Sequence, residues 1–142
     1  SLTFFLKILL VGEGDISFSL SLAQKFKEAN NMIATSLESR VLLSNKYRKT
    51  SSNIIKLENQ NCTVIHKVNA HTMSKHYILS RKRFDRIVYN FPHAGFSHDE
   101  NSIEMIKKHQ YLVMGFLQTA KLMLEKDGEI HVTHKKDPPF SK

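Results

Sequence analysis

Apolar and polar positions along the chain fall into blocks whose period changes. Leu6-Lys7-Ile8-Leu9-Leu10-Val11 holds five apolar residues in six, the density of a strand buried on both faces. It runs into Gly12-Glu13-Gly14-Asp15, and the spacing of Phe18, Leu22, Phe26 and Ala29 then predicts an amphipathic helix. Further strands are predicted at Met32–Glu38, at the β-branched stretch Cys62–Val68, and at Phe84–Asn90. Arg40–Asn59 is mostly polar and reads as a helix in two pieces, broken near Thr50-Ser51-Ser52-Asn53, and His71–Ser80 reads as a weaker helix. A long helix is expected over Ser102–Lys126, with Ile103, Ile106, Val113, Leu117, Ala120 and Leu124 on its buried face. Asp127-Gly128 should stop it, Glu129–Thr133 forms a fifth strand, and Pro138-Pro139 ends regular structure.

Strands alternating with helices predict a single α/β domain over 1–142, a Rossmann-like three-layer sandwich on a mainly parallel sheet. Right-handed crossovers and a switch point beside the first strand give the order 3-2-1-4-5. Ligands of such sheets sit above the C-terminal strand ends. Gly12, Glu38, Asn69 and Asn90 should converge there.

The glycine turn suits a nucleotide-type ligand, because it leaves bare backbone for close approach. The third glycine of the dinucleotide fingerprint is absent, with Ser17 in its place, and no Gly-Lys-Ser/Thr follows, which excludes a P-loop. Glu38 lies where an acidic side chain takes a ribose diol; a solvated loop carboxylate is the alternative. Asn69 can bond an adenine edge or make a turn. Asp15 can cap the first helix or meet the ligand, with Ser17 and Ser19 as competing caps. Asn90-Phe91-Pro92-His93 ends the fourth strand with groups suited to a flat, hydrogen-bonding base. Phe91 stacks, Pro92 fixes the turn, the Asn90 amide oxygen accepts from a ring N–H, and His93 takes that proton or simply hydrogen-bonds a carbonyl.

The net charge of +8 and a pI near 9.6 favour an anionic partner, RNA first. The basic clusters are Lys46-Tyr47-Arg48-Lys49, Arg81-Lys82-Arg83, Lys107-Lys108 and Lys135-Lys136. Lys135 and Lys136 follow the fifth strand on the ligand rim, whereas the 81–83 cluster belongs at the opposite edge. Cys62 is the single cysteine, which fits a reducing, intracellular compartment. The eight histidines lack metal-ligand spacing, so no metal is expected. No apolar run suggests a membrane span. Ser1 is not a natural start, so an upstream segment is expected.

Four ordered motifs carry a resemblance: Val11-Gly12-Glu13-Gly14-Asp15-Ile16-Ser17-Phe18-Ser19, Ala34-Thr35-Ser36-Leu37-Glu38, the run Phe84–Gly95 containing Asn90-Phe91-Pro92-His93, and Gly128-Glu129-Ile130-His131-Val132-Thr133. Together they resemble the Rossmann-like domain of the large-subunit rRNA uridine-N3 methyltransferases, a domain that recurs in plant proteins. Ile16 and Tyr89 stand where that family has phenylalanine. The resemblance implies an S-adenosylmethionine-dependent RNA methyltransferase. Gly12, Glu13, Gly14 and Asp15 would approach the methionine part, Glu38 the ribose and Asn69 the adenine. Asn90 and His93 would be catalytic, Phe91 and Pro92 would hold the target uracil, and Lys135 and Lys136 would bind RNA. The resemblance also implies two further strands and a helix after the fifth strand, and a nuclear or nucleolar site. A shortened relative would instead be a non-catalytic cofactor- or RNA-binding module, with an exposed edge strand open to self-association. A nicotinamide-dependent oxidoreductase shares the glycine turn but leaves Asn90-Phe91-Pro92-His93 unexplained.

Overall fold

The computed structural model describes residues 6–12, 14, 16–26, 29–90 and 103–133. Five strands are present: β1 (Ile8–Val11), β2 (Met32–Thr35), β3 (Thr63–Ile65), β4 (Phe84–Asn90) and β5 (Leu124–Thr133). All pair in parallel, in the order β3-β2-β1-β4-β5 predicted from the sequence. Helix α1 (Ser17–Phe26) links β1 to β2, α2 (Arg40–Lys46) and α3 (Thr50–Asn59) link β2 to β3, and α4 (Ile103–Lys121) links β4 to β5.

Side chains of a strand alternate between faces, and β1 shows why the sheet needs helices on both. Ile8 and Leu10 pack with Leu20, Ala23, Leu43, Ile54 and Leu57 on the side of α1, α2 and α3. Leu9 and Val11 pack with Met73, Leu79, Ile87, Tyr89, Phe116 and Ala120 on the side of α4. The result is the three-layer sandwich.

Several local expectations are corrected. The deepest residues of α1 are Ser19, Leu20 and Ala23, while Phe18 and Leu22 are only half-buried, so the face is rotated from the predicted stripe. A similar shift occurs in α4, where Ala120 is buried as predicted but its buried companions are Phe116 and Thr119, while Ile103, Ile106 and Leu117 stay exposed. Both stripes satisfy a three–four repeat; the Phe116 ring, edge-on to Tyr89 at 4.9 Å, decides which one meets the sheet. Asp127-Gly128 does not stop this helix. It ends at Lys121, through tightened bonds from Leu122 N–H to Thr119 O and Met123 N–H to Ala120 O. Gly128 lies instead in an irregular part of β5, where a Cβ would stand 2.9 Å from the Phe84 carbonyl oxygen.

The break between α2 and α3 falls at 47–49 rather than at Thr50, which is buried and opens α3. β2 and β3 are shorter than predicted, because the chain after each turns to bond its neighbour outside the ladder. Val68 N–H donates to Ser36 O and Lys67 N–H to Glu38 O, with Lys67 at a φ of 61°. Residues 71–80 form two short 3₁₀ turns, Met73–Lys75 and Leu79–Arg81, instead of a helix. The His76 ring accepts from Ile78 N–H at 3.2 Å, a local bond that diverts the backbone between them. No helix of the described residues is long and apolar enough to cross a membrane.

Candidate functional site

The registers Val11↔Tyr89 and Asn90↔Thr133, with Leu10↔Ala34 and Thr35↔Ile65 beside them, align the strand ends on one rim. Gly12, Gly14, Glu38, Asn69 and Asn90 follow or close those ends, so these described residues lie along the same rim. Glu13, Asp15, Phe91, Pro92, His93, Lys135 and Lys136 lie outside the described residues. Exposed Arg81, Lys82 and Arg83 precede β4 at the opposite edge, as expected.

Gly12 has a φ of 67°, in the left-handed region where a side chain is strained. It is also crowded: a Cβ there would stand 2.7 Å from Tyr89 Cε1. The loop backbone is therefore held directly against β4. Burial pushes the Tyr89 hydroxyl above the usual phenol range, so it stays neutral. Ile16 occupies the cap position of α1, since its carbonyl accepts from Leu20 N–H at 3.1 Å. Ser17 and Ser19 fall inside the helix, and neither stands at the cap position expected for them. Ile16 itself is fully buried at a φ of 67°, a conformation rare for a β-branched residue.

The Glu38 carboxylate is paired with the Lys46 ammonium, a hydrogen bond that raises the lysine pKa. Behind it, buried Ser36 is a clip between two loops. Its Oγ donates to Glu38 O at 2.7 Å and lies 2.8 Å from His66 Nδ1. With the hydroxyl proton committed, His66 satisfies the second contact by donating from Nδ1–H. Burial foremost, and the Arg40 charge next, lower the His66 pKa, so the ring is neutral. Asn69 uses its Oδ1 to accept from His71 N–H at 2.7 Å, the turn anticipated as its alternative role, leaving its NH₂ for a ligand.

Asn90 is oriented by a residue the sequence did not single out: the Thr133 hydroxyl donates to its Oδ1 across the β4–β5 ladder. Three further rim residues were missed. Leu37 is exposed at 62% between Ser36 and Glu38, offering an apolar face suited to a ring. Lys46 holds Glu38, and Tyr47 lies against Gly14, where a Cβ would stand 3.3 Å from its hydroxyl. The available signal was the Lys46-Tyr47-Arg48-Lys49 cluster, which breaks a polar helix with an aromatic. Among the described residues, no group of three His, Cys, Asp or Glu side chains could hold a metal.

The rim thus offers a carboxylate, an amide, an apolar side chain and close-held backbone on one side, and an oriented asparagine on the other. Among solved structures, the fold is similar to a methyltransferase homologue from Pyrococcus horikoshii, with a TM-score of 0.63, 19% identity, and coverage of 88% of this chain and 38% of that one. The uncharacterized protein At4g26485 of Arabidopsis thaliana is 55% identical over 137 residues, covering 95% of this chain and 66% of that protein. The 25S rRNA (uridine(2634)-N(3))-methyltransferase of Saccharomyces cerevisiae is 28% identical over 134 residues, 80% of this chain and 40% of that enzyme. The chain thus spans just under two thirds of the first of these relatives and less than half of the second. A family model described as rRNA (uridine-N3-)-methyltransferase BTM5-like matches residues 9–142, and with nearly its whole length matched the chain belongs to this BMT5-like family.

Proposed function

We propose that this chain is the cofactor-binding domain of an S-adenosylmethionine-dependent RNA methyltransferase acting on N3 of uridine in ribosomal RNA. The observation that carries the proposal is the rim itself. A glycine turn held against β4 faces the ends of β2 and β4 in a chain of the BMT5-like family. The donor set fits the cofactor by its chemistry: Glu38 for the ribose hydroxyls, the Asn69 NH₂ and Leu37 for the adenine, and the backbone at 12–15 for the amino-acid part. When bound, the cofactor supplies an electrophilic methyl group on a sulfonium.

The chain's own residues then have two tasks. Asn90, oriented by Thr133, accepts from or donates to the edge of the uracil and fixes the ring for in-line approach, where positioning supplies much of the rate. The N3 position carries a proton between two carbonyls, and it must lose that proton to become a good nucleophile. His93 is assigned to take it, leaving an electron pair on N3 for the methyl group that the cofactor would supply. Phe91 stacks on the ring and Pro92 fixes the turn. A uridine in folded RNA must first be unstacked to reach this rim. Lys135 and Lys136 would hold phosphates beside it, and a nuclear or nucleolar site goes with the resemblance to the rRNA methyltransferases.

The test is methyl transfer from labelled S-adenosylmethionine into large-subunit rRNA, followed by nucleoside analysis. The expected product is 3-methyluridine, lost in Asn90→Ala and reduced in His93→Ala. Saturable cofactor binding with no transfer to any RNA would reduce the chain to a binding module and refute the catalytic reading.

A further inference from the structure

On the α4 side of the sheet, a groove of about 430 Å³ runs between α4 and the 3₁₀ turn that begins at Met73. Its walls combine stacking, hydrogen-bonding and cationic groups: Tyr111, Met114 and Gln118 from α4, and His71, Thr72 and Lys75 opposite. Tyr111 is 72% exposed and Met114 59% exposed, a large apolar surface to leave in water.

The groove is built rather than accidental. His71 Nε2 lies 3.0 Å from Leu112 O, and its ring meets Tyr111 edge-on at 5.2 Å. Gly115 makes this possible, since a Cβ there would stand 2.5 Å from His71 Nε2. On the floor, Thr119 Oγ1 donates to Ser74 Oγ at 2.8 Å.

The groove also joins the candidate site. His71 N–H bonds Asn69 Oδ1 on the rim. α4 connects the C-terminal end of β4 to the start of the parallel strand β5, so its first turns lie toward that rim. Lys107 and Lys108 precede Tyr111 by four and three positions and share its face of the helix. Among the described residues, Lys75, Lys107 and Lys108 make no ion pair, and Glu104 is the single acidic residue of α4. A row of unpaired cations leading into exposed aromatic and amide groups matches single-stranded nucleic acid, whose bases stack and whose phosphates take the cations.

We infer that this groove binds the single-stranded RNA segment adjoining the modified nucleotide, Tyr111 stacking on a base and Lys75, Lys107 and Lys108 holding the phosphates. The inference rests on the RNA-methyltransferase reading for the identity of the strand. The occupant is RNA rather than a protein segment because the cations continue the groove toward the rim.

The test is fluorescence anisotropy of this 142-residue chain with a labelled, uridine-containing single-stranded RNA of about twelve nucleotides, within the usual site size for such binding. Tyr111→Ala should weaken binding on the order of tenfold, the effect of losing one stacked base. Lys75→Ala/Lys107→Ala/Lys108→Ala should lower the slope of log affinity against log salt by about 2, for three phosphates on a single strand. All four side chains are exposed or half-buried, and a thermal melt confirms that the variants fold. Arg81→Ala/Lys82→Ala/Arg83→Ala, at the opposite edge, should leave the slope closer to that of the parent chain.

Unchanged affinity and slope in the groove variants would overturn the inference. So would a shift from dimer to monomer on Tyr111→Ala with RNA affinity unchanged, which would make the groove a self-interface. Methyl transfer separates this outcome from failure of the catalytic reading. Transfer with an unaltered KM for RNA in the groove variants sinks the groove alone. RNA binding that depends on the groove but never leads to transfer sinks the catalytic reading alone.

Discussion

The Thr133 hydroxyl donates to the Asn90 amide oxygen, joining the last residues of β4 and β5 across the rim. An asparagine amide can flip, exchanging its donor and acceptor ends. A hydroxyl that has committed its proton to Oδ1 fixes which end is which, and so fixes what Asn90 shows to a base. Thr133→Val keeps the shape and removes the proton. Methyl transfer in a single turnover should fall on the order of tenfold, the cost of misplacing a positioning group. S-adenosylmethionine affinity and thermal stability should change little, since Thr133 is exposed. A parallel loss of cofactor binding would mean that Thr133 acts on the loop rather than on Asn90.

The Glu38 carboxylate faces two claims, from Lys46 and from a ribose diol. Replacing it with glutamine leaves the shape but removes the charge-assisted acceptor. Calorimetric titration with S-adenosylmethionine should show affinity roughly tenfold to a hundredfold weaker in Glu38→Gln. Lys46→Met removes only an exposed partner, and its effect should stay below about threefold. The reverse order, with Lys46 dominant, would show that the lysine and not the carboxylate meets the ligand.

How much of this was legible beforehand depends on whether the signal was local. β4 was predicted with its observed bounds, because Phe84–Asn90 is a strand-rich run leading into a proline. The strand order followed from right-handed crossovers together with a switch point beside the first strand. The buried face of α4 was not legible. Ala120 lies on both candidate stripes, one running through Ile103, Ile106 and Leu117 and the other through Phe116 and Thr119, and the contact of Phe116 with Tyr89 selects the second. Asp127-Gly128 carries a strong helix-stop signal, yet the glycine is needed where β5 crowds the Phe84 carbonyl, a contact forty-four positions apart in sequence. In the candidate site, Gly12, Glu38, Asn69 and Asn90 could be proposed from the sequence because they close or follow strands, and strand positions are a local signal. Thr133, Lys46 and Tyr47 were missed because each acts through a partner that only the fold brings near.

The clip behind the second strand predicts a pH dependence. Burial and Arg40 hold the His66 pKa below its unperturbed value near 6.5, whereas the unfolded chain titrates there. Between the two values the unfolded state binds more protons, so stability falls as pH drops through that window. Glu58 opposes the shift, and Arg40 and Glu58 are the charged groups that act on the ring. The urea midpoint of the parent chain should therefore drop between about pH 7.5 and pH 5.5 by more than that of His66→Gln. A larger drop in the variant would mean that the charged ring stabilises the clip.

Gly12 meets two separate demands, and a substitution cycle can divide them. In Gly12→Ala the new methyl sits at a φ of 67°, which costs an L-residue roughly 1–2 kcal/mol. It also meets Tyr89 Cε1 at 2.7 Å, an overpacking worth about 1–3 kcal/mol. Tyr89 cannot swing aside cheaply, because it is 7% exposed and packed against Phe116. In a Tyr89→Leu background the second cost should vanish, leaving a coupling of about 1–3 kcal/mol in denaturant unfolding. Equal costs in both backgrounds would show that backbone conformation alone demands the glycine. Cofactor titration of the same four proteins then asks whom the bare backbone serves. If the double variant regains stability but still binds S-adenosylmethionine weakly, the ligand needs the glycine as well. Binding that returns with stability would mean that Gly12 serves only the contact with Tyr89, and would remove it from the proposed cofactor site.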